Sequence, residues 1–76
     1  MSDLLNKQFI DSIGIDLWFT FYGLGDIEWP LYDIDVETGL LRIDVMGKLD
    51  VYHISDVKKI RDSNNKYYDI EDFYLK

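Results

Sequence analysis

The feature that most constrains the fold is an alternation of apolar and polar residues through residues 31–46, interrupted by one turn. A period of two is typical of a strand with one buried side, and Glu37-Thr38-Gly39 supplies turn residues. We therefore predict a hairpin with strands at 31–37 and 40–46 and with Pro30 at its start or edge. The side chains predicted to point inwards are Tyr32, Ile34, Val36, Leu41, Ile43 and Val45. Those predicted to point outwards are Asp33, Asp35, Glu37, Arg42, Asp44 and Met46.

Further strands are predicted on both sides of this hairpin. Residues 15–22 are β-branched or aromatic with a period near two. Their predicted inner residues are Ile15, Leu17, Phe19 and Phe21, and their predicted outer residues are Asp16, Trp18, Thr20 and Tyr22. A turn at Gly47-Lys48 introduces a strand at 49–54. Residues 67–75 close the fold as a short strand, with a frayed helical turn as a further option within this segment. Residues 56–61 fit either one helical turn or a strand.

One helix is predicted at the start of the chain, over residues 3–13. Ser2 is a suitable cap, Asp3 stands in the first turn where the helix dipole favours an anion, and Gly14 is suited to the end. Four apolar residues recur at helical spacing on one side. They are Leu5, Phe9, Ile10 and Ile13.

These elements predict an α+β fold: an N-terminal helix packed on one face of a four- to five-stranded antiparallel meander sheet. The chain has 76 residues, of which 47% are hydrophobic, so we expect a single compact domain over residues 1–76.

The absence of cysteine excludes disulfides and favours a reducing compartment. The chain has neither a signal-peptide pattern nor an apolar run of about 18 residues. We therefore expect a cytoplasmic protein with no membrane association.

The charge of −7 is concentrated in one part of the chain. No Lys or Arg lies between Lys7 and Arg42, and this stretch holds seven carboxylates, whereas the rest of the chain has equal numbers of acids and bases. Because phosphate contacts need clustered Lys and Arg, we expect no direct binding to nucleic acid or to an anionic membrane.

A row of carboxylates is the main candidate binding site. Residues i and i+2 of a strand lie about 6.6–6.8 Å apart on one side, so Asp33, Asp35 and Glu37 form a line of negative charge, with a spacing comparable to that of phosphates. Asp44 adds a charge from the paired strand, and Asp26 and Glu28 extend the row. A row of this kind either docks on a partner or only keeps the chain soluble.

Aromatic residues supply the candidate anchors for such a partner. Because the inner residues of the predicted strand 15–22 include Phe19, Trp18 and Tyr22 lie on the opposite side of this strand. Trp29 and Tyr52 are candidates to join them. Alternatively, the C-terminal segment covers these rings as a second small core. Its aromatic residues are Tyr67, Tyr68, Phe73 and Tyr74.

Catalytic and metal sites are poorly supported by the residue pattern. His53 is the single histidine, and Ser55 and Asp56 follow it on one element, whereas a catalytic triad is assembled in space. Residues 33–44 place acids at alternate positions but lack the glycine and glutamate of a calcium loop. Gly23-Leu24-Gly25 lacks the lysine of a phosphate loop. We therefore expect no enzyme activity, no cofactor and no metal.

In size, acidity and α+β build, the chain is similar to small phage-encoded inhibitors that imitate nucleic acid, such as uracil-DNA glycosylase inhibitors, anti-restriction proteins and anti-CRISPR proteins. The similarity assigns no role to an individual residue. It implies an acidic inhibitor or adaptor that blocks a basic, nucleic-acid-handling protein, in the cytoplasm of the host cell if the chain is phage-encoded. The alternative expectation is a structural or accessory domain that self-associates, for example as a homodimer, through exposed aromatics or a sheet edge.

Overall fold

The computed structural model describes residues 4–14 and 16–75 and shows an α+β fold with one helix and a six-stranded antiparallel sheet. The strand order is β4-β3-β2-β1-β5-β6, so β1 to β4 form a meander and β5 returns to pair with β1. The elements are α1 (Lys7–Ile13), β1 (Leu17–Phe21), β2 (Trp29–Asp35), β3 (Leu40–Val45), β4 (Lys48–His53), a first 3-10 turn (Ile54–Asp56), β5 (Val57–Asp62), β6 (Tyr67–Tyr68) and a second 3-10 turn (Ile70–Phe73).

Helix α1 begins later than the sequence pattern predicts, because residues 4–6 pair with the end of the chain. The Asn6 N–H donates to the Phe73 carbonyl at 2.8 Å, and Leu5 forms an isolated β-bridge with Tyr74. Asn6 then caps the helix, its Oδ1 accepting the Phe9 N–H at 3.1 Å. The predicted cap at Ser2 and the predicted first turn at Asp3 lie outside the described residues.

The predicted hairpin is confirmed as β2 and β3, but its inward pattern fails at Tyr32. Leu31 pairs with Ile43 and Asp33 with Arg42, so β2 contains one extra residue opposite β3. This β-bulge breaks the alternation of the strand, and Tyr32 is exposed. Leu31 is buried in its place, whereas Ile34 and Val36 pack against the core as predicted.

A strongly curved sheet encloses one core on its inner side. Phe21 of β1 stacks on Tyr52 of β4 with ring centroids 4.7 Å apart, although two strands separate these residues in the sheet order. The buried apolar residues are Leu5, Ile10, Leu17, Phe19, Phe21, Leu31, Leu41, Ile43, Ile54, Val57, Ile60 and Phe73. The predicted inner residue Ile15 lies outside the described residues.

The C-terminal segment closes this core rather than covering Trp18. Phe73 is fully buried, with its ring centroid 5.4 Å from that of Phe9 and 6.4 Å from that of Phe19. Edge-on aromatic pairs of this kind add to the stabilisation from burial. The predicted second small core over the outer rings is therefore wrong, because the main C-terminal aromatic points to the inner side of the sheet.

Truncation of Phe73 is expected to destabilise the fold strongly. Phe73→Ala removes a buried ring that joins α1 to β1, which costs about 3–5 kcal/mol, close to the whole stability expected for a domain of this size. Phe73→Leu keeps part of the packing, so this variant is expected to stay folded with a reduced free energy of unfolding. Urea denaturation measures both. Tyr67→Ala, at a ring that is 61% exposed, is the control, and equal losses for Phe73→Leu and Tyr67→Ala would contradict this account of the core.

Candidate functional site

The outward-pointing side chains of β2, β3 and β4 form one continuous surface, which we call the outer face. Residues directly opposite each other in an antiparallel pair share a side, and every second residue of a strand does so too. The pairings of Arg42 with both Asp33 and Val51 therefore place all three strands in register on this surface. The outer face comprises Tyr32, Asp33, Asp35, Leu40, Arg42, Asp44, Leu49, Val51 and His53.

Arg42 lies at the centre of the outer face and binds both residues of the bulge. Its Nε donates to Asp33 Oδ1 at 2.7 Å, a second nitrogen binds Asp33 Oδ2, and the guanidinium lies 5.4 Å from the Tyr32 ring centroid. The hydrogen bonds from Arg42 hold the pKa of Asp33 below its ordinary value. The bulge allows this arrangement, because it turns Tyr32 and Asp33 to the same side.

Three other carboxylates of this region, Asp35, Glu37 and Asp44, are exposed and form no ion pair among the described residues. Asp35 Oδ1 accepts the Glu37 N–H at 3.0 Å, and Asp44 Oδ1 accepts the Gly47 N–H at 2.8 Å. These bonds order the two hairpin turns and leave the negative charges facing solvent.

Apolar side chains lie between these charges. Leu40 is 41% exposed, Leu49 46% and Val51 58%. The last two belong to β4, which is an edge strand of the sheet. A cluster of exposed apolar residues with a polar rim is typical of a protein-interaction surface.

An open groove of about 510 Å³ joins the acidic and apolar parts of this region. Its lining residues are Asp33, Ile34, Asp35, Val36, Glu37, Leu40, Arg42 and Val51. The structure therefore brings together three of the predicted carboxylates with apolar residues that the sequence analysis did not select.

Two predicted carboxylates, Asp26 and Glu28, lie elsewhere, beside β5. Asp26 forms an ion pair with Lys58 at 3.2 Å, and Glu28 accepts from Arg61 Nε at 2.8 Å. They line a small pocket of about 220 Å³ with Thr20, Lys59 and Tyr67. Their charges are balanced within the chain, so they do not extend the carboxylate row.

The predicted aromatic anchors are only partly available to a partner. Trp18 is half-buried beneath the Arg61 guanidinium, which lies 4.8 Å from its ring centroid. Trp29 packs against the core, and its buried Nε1 has no hydrogen-bond partner among the described residues. Tyr22, directly after β1, is 67% exposed. Tyr32, which was predicted to point inwards, is the aromatic residue of the outer face.

Bases from outside the stretch 8–41 neutralise much of its charge. Ion pairs link four of its seven carboxylates to Lys7, Arg42, Lys58 and Arg61. Among the described residues, Asp16, Asp35 and Glu37 are the three without such a pair. Strand pairing and the helical spacing of Lys7 and Asp11 therefore confine the unbalanced charge to a smaller surface than the sequence indicates.

His53, at the end of β4, has a structural role. Its Nδ1 accepts the Ser55 N–H at 3.1 Å and lies 2.8 Å from Ser55 Oγ, which caps the first 3-10 turn. Residues 33–44, considered above as a calcium loop, form the β2–β3 hairpin. Within residues 4–14 and 16–75, no group of three His, Asp or Glu side chains is placed to hold a metal ion.

The sequence analysis missed Leu40, Leu49 and Val51 as candidate binding residues. A signal for Leu40 was present, because Leu40 and Leu41 are adjacent in a strand and point to opposite sides. Leu49 and Val51 share the other side of β4 from Tyr52. The curvature that buries Tyr52 against Phe21 decides which of these residues face solvent.

Comparison of the chain with protein-family models, curated protein sequences and solved structures gives no match in any of the three cases. No helix in the described part of the chain is long and apolar enough to cross a membrane.

Acidification is predicted to remove the stabilisation that Arg42 gives to Asp33. Because the pKa of Asp33 is lowered from its ordinary 3.8, this contribution is present above pH 3.8 and is lost as the pH falls through the folded-state pKa. The difference in free energy of unfolding between the wild type and Asp33→Asn is therefore expected to shrink on acidification, as measured by urea denaturation.

The matched control for this measurement is Asp33→Asn in an Arg42→Gln background, where no guanidinium lowers the pKa. The pH dependence of the Asp33→Asn effect is expected to be much smaller there. An equal pH dependence in both backgrounds would show that Arg42 is not its source.

Proposed function

We propose that this protein is a small binding protein, an inhibitor or adaptor, that docks its outer face on a basic surface of a nucleic-acid-handling protein. The observation that carries the proposal is the exposure of Asp35, Glu37 and Asp44, free of ion pairs among the described residues, beside the apolar residues Leu40 and Val51. Carboxylates give charge complementarity to a basic partner, and apolar side chains supply the area that is dehydrated on contact.

Electrostatics support a protein partner rather than nucleic acid itself. The chain carries a net charge of −7, so it is repelled by phosphates and attracted to Lys- and Arg-rich surfaces. Its long-range field speeds association with such a surface and makes it sensitive to salt.

The biological role that we infer is competition with nucleic acid for the partner's groove. A phage-type inhibitor of the anti-CRISPR or anti-restriction class, acting by binding in the cytoplasm and not by catalysis, fits the size and charge of the chain. Asp35 and Glu37 are the residues proposed to stand in for phosphates; Asp33, beside them on β2, is already paired with Arg42.

A second candidate function is self-association, which is favoured by the open edge of β4 and its exposed residues Leu49 and Val51. The same strand carries Lys48 and Asp50 on its other side, opposite Val45 and Ile43, and charges there disfavour edge-to-edge pairing. Sedimentation at increasing protein concentration distinguishes the two functions. A dimer that is lost in Val51→Ser would favour self-association.

Charge reversal in the groove is expected to abolish partner capture. In affinity purification from the native host, the wild-type chain should enrich a basic nucleic-acid-binding protein, and Asp35→Lys/Glu37→Lys should lose it because the partner then meets like charge. Binding of the wild-type chain to this partner should weaken as salt is added.

The control for this purification is Asp69→Lys/Glu71→Lys, which changes the net charge equally at exposed residues at the start of the second 3-10 turn. Circular dichroism establishes that each variant is folded. The proposal is wrong if both double variants lose the partner equally, or if no nucleic-acid-binding protein is captured.

A further inference from the structure

The groove of the outer face combines two surfaces of different chemistry. Leu40 and Val51, which are 41% and 58% exposed, provide an apolar floor. Asp35 and Glu37 stand at one side of this floor as exposed carboxylates. A ligand that fills the groove therefore needs both apolar contact and positive charge.

Among the described residues, the one basic residue that lines the groove, Arg42, does not neutralise the carboxylates of Asp35 and Glu37. Arg42 is bound by both oxygens of Asp33 and lies over the Tyr32 ring. Because its guanidinium is already paired, the negative charge of Asp35 and Glu37 remains uncompensated. The groove therefore has a neutral, ordered side and an anionic, open side.

Lys and Arg side chains match such a surface better than a small cation does. Their aliphatic stems pack along apolar surface while the charged heads reach neighbouring carboxylates. Leu40 and Asp35 are directly opposite each other in the strand pairing, so floor and charge are neighbours. In a bound peptide segment, an apolar side chain next to such a Lys or Arg completes the contact with Val51.

A second copy of this chain fits the groove poorly. In a symmetric dimer through the outer face, the same surface patch meets itself. Asp35, Glu37 and Asp44 then approach their own equivalents, with a net charge of −7 on each copy. Nucleic acid is disfavoured by the same repulsion.

We propose that the groove binds a cationic segment of the partner protein in which Lys or Arg alternates with apolar side chains. This inference rests on the proposed function, since it assigns to the same face the kind of segment that it recognises. The carboxylates attract basic segments in general, and the apolar residues on the floor favour those segments that also carry apolar side chains. Recognition therefore depends on Leu40 and Val51 as well as on charge.

Synthetic peptides test this directly, with nuclear magnetic resonance of the isotope-labelled full chain as the readout. The three probes are capped peptides of equal length that alternate Lys with Leu, Lys with Ser and Glu with Leu. The Lys–Leu peptide is expected to shift the resonances of residues 33–42 and of Val51. The Lys–Ser peptide should bind about tenfold more weakly, and the Glu–Leu peptide should leave these resonances unchanged.

Variants separate the apolar contribution from the charge. Leu40→Ser/Val51→Ser should weaken binding of the Lys–Leu peptide about tenfold and leave the Lys–Ser peptide unaffected. The control is Leu24→Ser/Ile27→Ser, at exposed apolar residues of the β1–β2 loop, which should change neither. The resonance spectrum of each variant reports whether the fold is intact.

The inference is overturned if the Lys–Ser peptide binds as tightly as the Lys–Leu peptide, if the shifts map outside the groove, or if neither peptide binds. In those cases the proposed function still stands, provided that charge reversal at Asp35 and Glu37 releases the captured partner. If charge reversal leaves capture unchanged, the proposed function fails whatever the peptides show. A dimer lost in Leu40→Ser/Val51→Ser would make a second copy the occupant instead.

Discussion

The fold depends on closing the inner side of one small, curved sheet. Phe19 and Phe21 of β1 lie at the centre of this side, where Phe73 from the end of the chain packs on Phe19 and Tyr52 from β4 stacks on Phe21. Helix α1 adds Ile10 to the same core cluster. In a chain of this length a single core must hold every element, because little apolar area remains for a second one. The outer face of β2–β4 consequently stays exposed.

One extra residue in β2 determines the character of that exposed surface. Without the bulge, Tyr32 would alternate to the inner side and Arg42 would face Asp33 alone. With it, the guanidinium of Arg42 contacts the side chains of both Tyr32 and Asp33, which orders the middle of the outer face. The ion pair with Asp33 also removes one negative charge from this face. Asp35 and Glu37, beyond the bulge, keep their charge beside Leu40 and Val51. The combination of free carboxylates and exposed apolar residues underlies both proposals.

The charge distribution along the sequence differs from the charge distribution on the folded surface. The stretch 8–41 contains no base, yet Asp26, Glu28 and Asp33 each meet a base from a later strand. These three carboxylates therefore have a structural role, since their ion pairs connect the β1–β2 region to β3 and β5. The candidate binding surface that remains is smaller than the set of nine residues selected from the sequence, and its apolar residues were not in that set.

The sequence by itself determined the α+β class, the β2–β3 hairpin and most of its alternation, because side-chain direction in a strand follows from a local period of two. It also left Asp35 and Glu37 as surface carboxylates, since a charged side chain beside a turn has little reason to be buried. The tertiary structure alone decided the start of α1 at Lys7, the exposure of Tyr32 and Val51, and the pairing of Glu28 with Arg61. Each of these depends on contacts between residues distant in the chain, which no local pattern encodes.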